Sequence, residues 1–301
     1  MARPAQDQWA EWLLERRFGS GNPEQRNAFL EELVPWRDRV LGNAAVKEGN
    51  TLLDVGAGDG LIAFGALDLI GKNGQVIFSD ISQDLLDHSR TLAEEMSVAD
   101  RCAFLRASAD DFSALENASV DVITTRSVLI YVKDKRRAFE EFYRVLKPGG
   151  RLSIFEPINR FRQPEPPHLF LGYDVTPVQD LARRVWAVFE RIQPIGADPM
   201  LDFDERDLLD LAENAGFDKI NLCYEAEIVA GDKLWGISEW EAFLNTAGNP
   251  KIPTFAEAMD QALTPEETER FTAHLRPLVE QNRRKGTAAH AYLWAVKGRE
   301  S

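Results

Sequence analysis

One short stretch, TLLDVGAGDG at 51–60, constrains the fold of this chain more than any other. Its first half has the composition of a buried strand, and Gly56, Gly58 and Gly60 follow directly. Glycine permits positive φ and carries no Cβ, so a ligand can lie against bare backbone where such a turn enters a helix. The pattern predicts a strand, a nucleotide-binding turn and a helix, with a turn used only for packing as the alternative.

Short apolar runs alternate with helical patterns between about residues 45 and 156. The runs lack polar alternation, which is typical of parallel strands buried on both faces. They are TLLDV (51–55), QVIFSD (75–80), RCAFLR (101–106), VDVITT (120–125) and RLSIFE (151–156). Between them, Ser82 is expected to cap a helix, and Gly71 and Gly149 to lie at helix ends. This order predicts a doubly wound α/β sheet whose ligand lies beyond the carboxyl ends of the strands.

The remainder of the chain has a different pattern. Residues 1–45 are expected to form an N-terminal helical segment. The core is expected to comprise 46–230 and 286–301, with a proline-rich lid at 157–202. Residues 231–285 are expected to form a helical insert, or cap, between the last two strands, KINLCYEAEIV (219–229) and AHAYLWAVK (289–297). Long insertions at the functional edge of a sheet usually form lids or substrate walls.

Charge and cysteine content exclude several classes of function. The formal charge of -14 repels polyanions, so nucleic acid is not an expected partner. No apolar run approaches the ~20 residues of a membrane span, and the N-terminus is too charged for a signal peptide. A cytoplasmic protein without a membrane partner is therefore expected. Cys102 and Cys223 are far apart in apolar surroundings, which indicates two buried thiols rather than a disulfide or a metal site.

A carboxylate at the end of the second strand supports a ligand that contains ribose. Asp80 lies 26 positions after Asp54, where an acid can accept hydrogen bonds from both ribose hydroxyls. The dinucleotide fingerprint is incomplete, because Leu61 occupies its third small position and acidic Asp59 would face a pyrophosphate. A ligand with ribose, a positive centre and no phosphate fits better, which describes S-adenosylmethionine. Asp54 can then meet the methionine ammonium directly or through water.

With these motifs in order, the sequence resembles the class I S-adenosylmethionine-dependent methyltransferases, in particular the branch typified by ubiquinone and menaquinone C-methyltransferases. The resemblance covers about residues 35–157. Its motifs are LLDVGAGDG, VIFSDIS, FLRASADDF, VDVITTRSVLIYVKD and RVLKPGGRLSIFEP. The family implies a Rossmann-like seven-stranded sheet of order 3-2-1-4-5-7-6 with an antiparallel last strand. It also implies S-adenosylmethionine as cofactor and S-adenosylhomocysteine as product.

The same resemblance names the cofactor-binding residues. The donor loop and the ribose-binding end of the second strand would comprise Asp54, Gly56, Gly58, Gly60, Asp80 and Ile81. After the third strand the branch often has Gly-Asp-Ala, and this chain instead has Ala-Ser-Ala at 107–109. Adenine contact is therefore expected from Ser108, the Ala109 amide or Asp110. Arg126 could bind the methionine carboxylate, or could pair internally with Asp121 or Glu156.

Methyl transfer from a sulfonium is an in-line displacement, so alignment of the acceptor with the methyl group supplies much of the catalysis. A general base is needed only if the acceptor must lose a proton. The catalytic candidates are His168 in the lid, Glu156 at the end of the fifth strand and Tyr131 after the fourth. Each has an alternative role: His168 as a structural loop residue, Glu156 as an anchor for an amine, and Tyr131 as an aromatic cover on the donor.

The leading hypothesis is an enzyme that methylates a small organic molecule enclosed by the lid and the helical insert. A protein methyltransferase would instead need an open acidic groove. A non-catalytic subunit that binds S-adenosylmethionine or S-adenosylhomocysteine would have its acceptor crevice filled. An NAD-dependent oxidoreductase is disfavoured by Leu61 and Asp59. The tryptophan-rich N-terminal helices could serve as an interface, so a homodimer stays open.

Overall fold

The computed structural model describes residues 7–17, 23–232 and 236–299, with only the backbone described for 23–30. The chain divides into two compact units. The first comprises Met1–Glu31, Asn159–Asp202 and Ala226–Ala289; the second comprises Glu32–Ile158, Phe203–Glu225 and His290–Ser301. Parts of the predicted N-terminal segment and insert lie outside the described residues, and the predicted domain boundaries stay predictions.

The strands are named in chain order. They are β1 (Thr51–Val55), β2 (Gln75–Asp80), β3 (Cys102–Arg106), β4 (Val120–Arg126), β5 (Leu146–Pro157), β6 (Leu169–Phe170), β7 (Tyr173–Asp174), β8 (Lys219–Asp232) and β9 (Arg284–Val296). A seven-stranded sheet has the order β3-β2-β1-β4-β5-β9-β8, and β6 pairs with β7. The sheet is parallel from β3 to β5, and β9 is antiparallel to β5. The predicted Rossmann-like order is confirmed.

The helices flank this sheet or belong to the first unit. They are α1 (Gln8–Glu11), α2 (Pro23–Ala44), α3 (Leu61–Ile70), α4 (Gln83–Glu95), α5 (Lys135–Val145), α6 (Gln179–Ile192), α7 (Glu205–Ala215), α8 (Trp240–Leu244), α9 (Phe255–Ala262) and α10 (Pro265–Glu280). Among the helices described, none combines the length and apolar character that crossing a membrane requires.

The core of the second unit follows from strands that are apolar on both faces. Leu52 and Leu53 of β1 point to opposite faces, and neither is accessible to solvent. Helix α3 covers one face with Ile62, Ala66 and Ile70, all of which are buried. This explains why the strand sequences are continuous apolar runs rather than alternating ones.

Several local predictions can be compared with the structure. Ser82 caps α4 by accepting a hydrogen bond from the Leu85 amide at 3.1 Å, and Gly71 ends α3 with a φ of 65°. Gly149 was expected at a helix end, but α5 ends at Val145 and Gly149 lies inside β5. Its amide donates to the Lys297 carbonyl at 2.8 Å. The strand β5 therefore begins before this glycine, directly after the helix.

The two cysteines are free, and both are half-buried rather than buried as expected. Cys102 donates to the Val98 carbonyl at 3.3 Å, whereas the Cys223 sulfur accepts from Arg39 Nη2 at 3.0 Å. Each thiol therefore has its own polar contact at the margin of the core.

The first unit has a separate aromatic and aliphatic core. Its buried side chains come mainly from α6, α8, α9 and α10, together with the β6–β7 pair. The rings of Phe243 and Phe255 stack with centroids 4.6 Å apart. The Trp12 indole, which follows α1, donates to the Ala247 carbonyl at 2.9 Å. The unit therefore has the hydrophobic contacts that a helical substructure needs for stability.

A buried carboxylate on α5 stabilises the segment after β3 in the second unit. Glu141 Oε2 accepts from the Phe112 amide at 2.8 Å, and the Arg144 guanidinium donates to both carboxylate oxygens at 2.8 and 2.9 Å. The Glu141 side chain is only 2% exposed. The hydrogen bonds from Arg144 are the main cause of a lowered Glu141 pKa, and desolvation opposes them.

We expect Glu141→Gln to lower the free energy of unfolding at pH 7 by roughly 2 to 4 kcal/mol, because a buried charged partner is removed. Since folding lowers the Glu141 pKa, this stabilisation is present above the ordinary glutamate pKa of 4.5 and is lost as the pH falls through the lower folded value. Urea unfolding of both proteins at several pH values measures it. Glu140→Gln, at the partly exposed neighbouring position, is the control. An equal loss at neutral and acidic pH would contradict the assignment.

Candidate functional site

The turn between β1 and α3 has left-handed backbone at all three glycines. The φ angles of Gly56, Gly58 and Gly60 are 63°, 57° and 84°. A Cβ on Gly56 would lie 2.3 Å from Val128 Cγ2, and one on Gly60 would lie 2.4 Å from the Phe64 ring. Two of the glycines are therefore required by the surrounding protein as well as by backbone conformation.

The Asp80 carboxylate at the end of β2 holds the middle of this turn. Its Oδ2 accepts from the Gly58 amide and its Oδ1 from the Ser82 amide, both at 2.9 Å. The Ser89 hydroxyl donates to the Gly58 carbonyl at 3.3 Å. Asp80 is 7% exposed, and a carboxylate oxygen can accept more than one hydrogen bond. This geometry allows the carboxylate both to support the turn and to meet a ligand hydroxyl.

Asp54 lies beneath the turn and joins three elements. Its Oδ1 accepts from the Thr124 hydroxyl of β4 at 2.8 Å, and its Oδ2 accepts from the Ala63 amide of α3 at 3.1 Å. Burial raises the pKa of Asp54 to about 7, against these two hydrogen bonds. The carboxylate thus joins β1, β4 and α3 beneath the turn.

Exposed and polar groups follow β2 and β3. Ile81 is 43% exposed although the adjacent Asp80 is buried. In the turn after β3, the Ser108 hydroxyl donates to the Asp110 carboxylate, and Ala109 is 5% exposed. An exposed apolar side chain beside a polar turn provides a surface for a flat heteroaromatic ring. The three candidates for adenine contact lie in this one turn.

Arg126 at the end of β4 lies among acidic groups. Desolvation lowers the Arg126 pKa, and the nearby charges of Asp59, Asp54 and Glu156 oppose this shift. Asp59 belongs to the glycine turn, so the turn and β4 carry opposite charges next to one another. Among the described residues, three carboxylates act on this one guanidinium.

Asp121, proposed from the sequence as one partner of Arg126, has other contacts. Its Oδ2 accepts from Lys147 Nζ and from the Thr51 amide, both at 2.9 Å. These bonds tie the beginnings of β1 and β4 together. Asp121 therefore lies at the opposite end of β4 from Arg126.

Glu156 is inaccessible to solvent at the end of β5. Its Oε1 accepts from the amides of Val128 and Leu129 at 2.8 Å, and its Oε2 accepts from the Ile130 amide at 3.3 Å. Burial raises the pKa of Glu156 to about 7, and the three amides oppose this shift. Both carboxylate oxygens thus contact the backbone of the turn after β4.

The other two catalytic candidates lie in different units. Tyr131 ends a 3-10 turn in the second unit, and its phenol is close enough to Arg126 to interact electrostatically. His168 lies in the first unit on an exposed position before β6, where its carbonyl accepts from the Val175 amide at 2.9 Å. The second unit brings together the cofactor candidates, Tyr131 and Glu156; His168 belongs to the other unit.

Sequence reasoning missed the side chains that support these carboxylates. Thr124 pairs with Asp54 in the parallel register, so aligning β1 with β4 could have identified it. Ser89 lies two turns after Ser82 on α4, a spacing that places both near one helix face. The sequence could not have identified Val128, because its contact with Gly56 depends on how the turn after β4 folds.

Comparison with known proteins gives a family match. The model of the ubiE/COQ5 methyltransferase family matches residues 30–226. The ubiquinone/menaquinone biosynthesis C-methyltransferase UbiE of Marinomonas sp. (strain MWYL1) is 33% identical over 139 residues, which are 46% of this chain and 53% of that protein. UbiE of Pseudoalteromonas translucida (strain TAC 125) is 32% identical over the same shares. The chain spans about half the length of the curated relatives it matches.

Solved structures agree on the fold. A protein of Bacillus halodurans C-125, named as a candidate methyltransferase, has a TM-score of 0.52 at 18% identity, with 87% of this chain and 98% of that chain covered. At this identity the likeness concerns the fold alone. The family match supports S-adenosylmethionine as the cofactor and confirms the resemblance found in the sequence. This chain belongs to the ubiE/COQ5 methyltransferase family.

Proposed function

We propose that the chain transfers a methyl group from S-adenosylmethionine to a small organic molecule. The observation that carries the proposal is the left-handed glycine turn held by Asp80 through the Gly58 amide, in a chain of a methyltransferase family. A bare turn at the start of α3, beside a buried carboxylate, is suited to an adenosyl ligand.

The residues present fit the parts of the donor. Asp80 would accept from the ribose hydroxyls, and Ile81 would lie against the adenine ring. Ser108, the Ala109 amide and Asp110 would meet the adenine edge; the hydrogen bond from Ser108 to Asp110 lies within this turn. Gly56, Gly58 and Gly60 would let the donor approach the backbone. These assignments concern binding and orientation.

The charges around the turn favour S-adenosylmethionine over a dinucleotide. In the part of the chain that the structure describes, Asp54, Asp59 and Glu156 act on the Arg126 guanidinium, and Lys135 acts on Glu156. A sulfonium and an ammonium would add positive charge where carboxylates are in excess, and Arg126 would meet the methionine carboxylate. A pyrophosphate would instead face Asp59. The local field therefore supports a cationic ligand without phosphate.

The bound donor would supply an activated methyl group, and this chain would hold the acceptor in line with it. Orientation of this kind can supply roughly 7 to 11 kcal/mol of the barrier. Tyr131 is proposed to cover the donor on the acceptor side. For an acceptor that must lose a proton, His168 and Glu156 were the candidate bases; His168 belongs to the first unit and Glu156 to the second.

The relatives suggest the acceptor class. Their names are those of C-methyltransferases in ubiquinone and menaquinone biosynthesis, so a small molecule and transfer to carbon are favoured. The overall charge of -14 supports an acceptor other than nucleic acid. The cytoplasmic location and the homodimer stay predictions.

The first test is calorimetric titration of the purified chain with S-adenosylhomocysteine and, separately, with NAD. We expect saturable binding of S-adenosylhomocysteine at one site and no binding of NAD, because the turn carries Asp59 where a pyrophosphate would lie. Binding of NAD without binding of S-adenosylhomocysteine would overturn the proposed function, and so would binding of neither.

The second test concerns Asp80. We expect Asp80→Asn to weaken binding of S-adenosylhomocysteine by about 10- to 100-fold, because a charge-assisted bond to ribose becomes a neutral one and the Gly58 amide loses its anionic partner. Asp87→Asn, on the exposed side of α4, should leave the dissociation constant unchanged. Unaltered affinity in the Asp80 variant would contradict the ribose assignment.

A further inference from the structure

Four consecutive backbone amides after β4 are bound by two adjacent residues of β5. The Ser127 amide donates to the Phe155 carbonyl at 2.8 Å. The next three amides, those of residues 128–130, donate to the Glu156 carboxylate. Converging amides of this kind form a concave site for an anion, and here the anion is a side chain of the same unit. We name residues 127–131 the β4 turn.

The β4 turn needs this partner to persist. Ser127 has a φ of 57°, in the left-handed region that a residue with a Cβ rarely adopts. Such backbone is retained where the surrounding contacts determine it. Without the Glu156 carboxylate, three amides would lose their acceptor, two of them on the buried residues Leu129 and Ile130. The Glu156 carboxylate therefore holds three consecutive amides of the turn, and the Phe155 carbonyl holds the amide that precedes them.

The β4 turn also connects the two sides of the candidate site. Val128 lies against Gly56, since a Cβ on that glycine would lie 2.3 Å from Val128 Cγ2. Tyr131, at the other end of the turn, interacts with Arg126. A shift of the turn would therefore change the support of the glycine turn and the position of the Tyr131 phenol together.

The charges that face Glu156 come from two elements. Lys135 of α5 favours its ionised form; its ammonium donates to the Val132 carbonyl at 2.9 Å and is 7% exposed as a residue. Arg126 of β4 is the second cation, and Asp54 and Asp59 are acids near the same guanidinium. Glu156 thus has cations and amides around it, as a buried carboxylate needs.

We propose that Glu156 is a positioning residue: it holds the β4 turn so that Val128 supports the glycine turn and Tyr131 faces the donor site. The inference rests on the proposed function and refines it. A general base needs an oxygen that reaches the substrate. Both oxygens of Glu156 instead face backbone amides and the side chain is inaccessible, so proton abstraction would disrupt the turn that orients the donor.

Two substitutions of Glu156 separate this role from general destabilisation. Leucine removes every acceptor. Glutamine can keep one oxygen for the amides of Val128 and Leu129 while its amide nitrogen faces Ile130. Ser153→Ala is the matched control on the same strand, since its buried hydroxyl donates to the Val40 carbonyl at 2.8 Å, away from the β4 turn.

The readouts are calorimetric affinity for S-adenosylhomocysteine and amide hydrogen exchange by NMR. For Glu156→Leu we expect fast exchange of the amides of residues 128–130 and about a tenfold or greater loss of affinity. Glu156→Gln should speed exchange mainly at Ile130 and lose affinity by only about threefold. Ser153→Ala should change neither. If Glu156→Leu does not fold, the selective change at Ile130 in the glutamine variant decides the question.

Slow exchange at Ile130 in Glu156→Gln, or affinities equal to that of Ser153→Ala in both variants, would overturn the positioning role. Failure of the unmodified chain to bind S-adenosylhomocysteine would overturn the proposed function instead. The exchange of the three amides still tests the hold of Glu156 on the turn in that case, so the two failures are distinguishable.

Discussion

Buried carboxylates at the ends of parallel strands bind the backbone amides of neighbouring turns, and the candidate site depends on this interaction. Asp80 ends β2 and binds an amide of the turn after β1. Glu156 lies one residue before the end of β5 and binds the amides of the turn after β4. Parallel strands bring their carboxyl ends to one edge, where turns and helix starts leave amides without intrahelical partners. An acid at a strand end can therefore bind amides that are far from it in the sequence.

The same interaction gives the site its charge. Removing a carboxylate from water disfavours its ionised form, and burial raises the pKa of both Asp54 and Glu156 to about 7. The amides recover only part of that cost, because they carry partial charges. A ligand with positive charge would recover more of it. The arrangement that stabilises the turns therefore also makes their surroundings more favourable to positive than to negative charge.

Much of this could be predicted from local sequence. Strands buried on both faces appear as apolar runs, so β1, β2 and β4 were located almost to the residue, and the sheet order is confirmed. The last strand was expected from residue 289 and begins at Arg284. Its first residues have no apolar alternation, and Arg284 is buried there through bonds to the Leu171 carbonyl and Asp232. A polar residue buried by distant partners gives no local signal.

Site roles were harder to predict, for a related reason. A glutamate at a strand end has one sequence signature whether it faces substrate or caps a turn. Glu156 and the Val128 amide are 28 positions apart, and only the fold shows that the carboxylate faces that amide. The glycine turn was easier to predict from the sequence, because a positive φ directly restricts the residue type. Local sequence therefore predicts unusual backbone conformations, whereas it does not predict which distant groups a side chain contacts.

The two units differ in the interactions that stabilise them. The family match ends at residue 226, and α8, α9 and α10 lie beyond it. Those helices bury their own cluster, with Phe243, Phe255 and Phe271 among its members. A hydrophobic core tolerates exchange of side chains of similar volume, whereas a carboxylate bound to several amides does not tolerate loss of charge or reach. Loss of a strand-end carboxylate in the second unit is therefore expected to cost more stability than an exchange of similar volume in the core of the first.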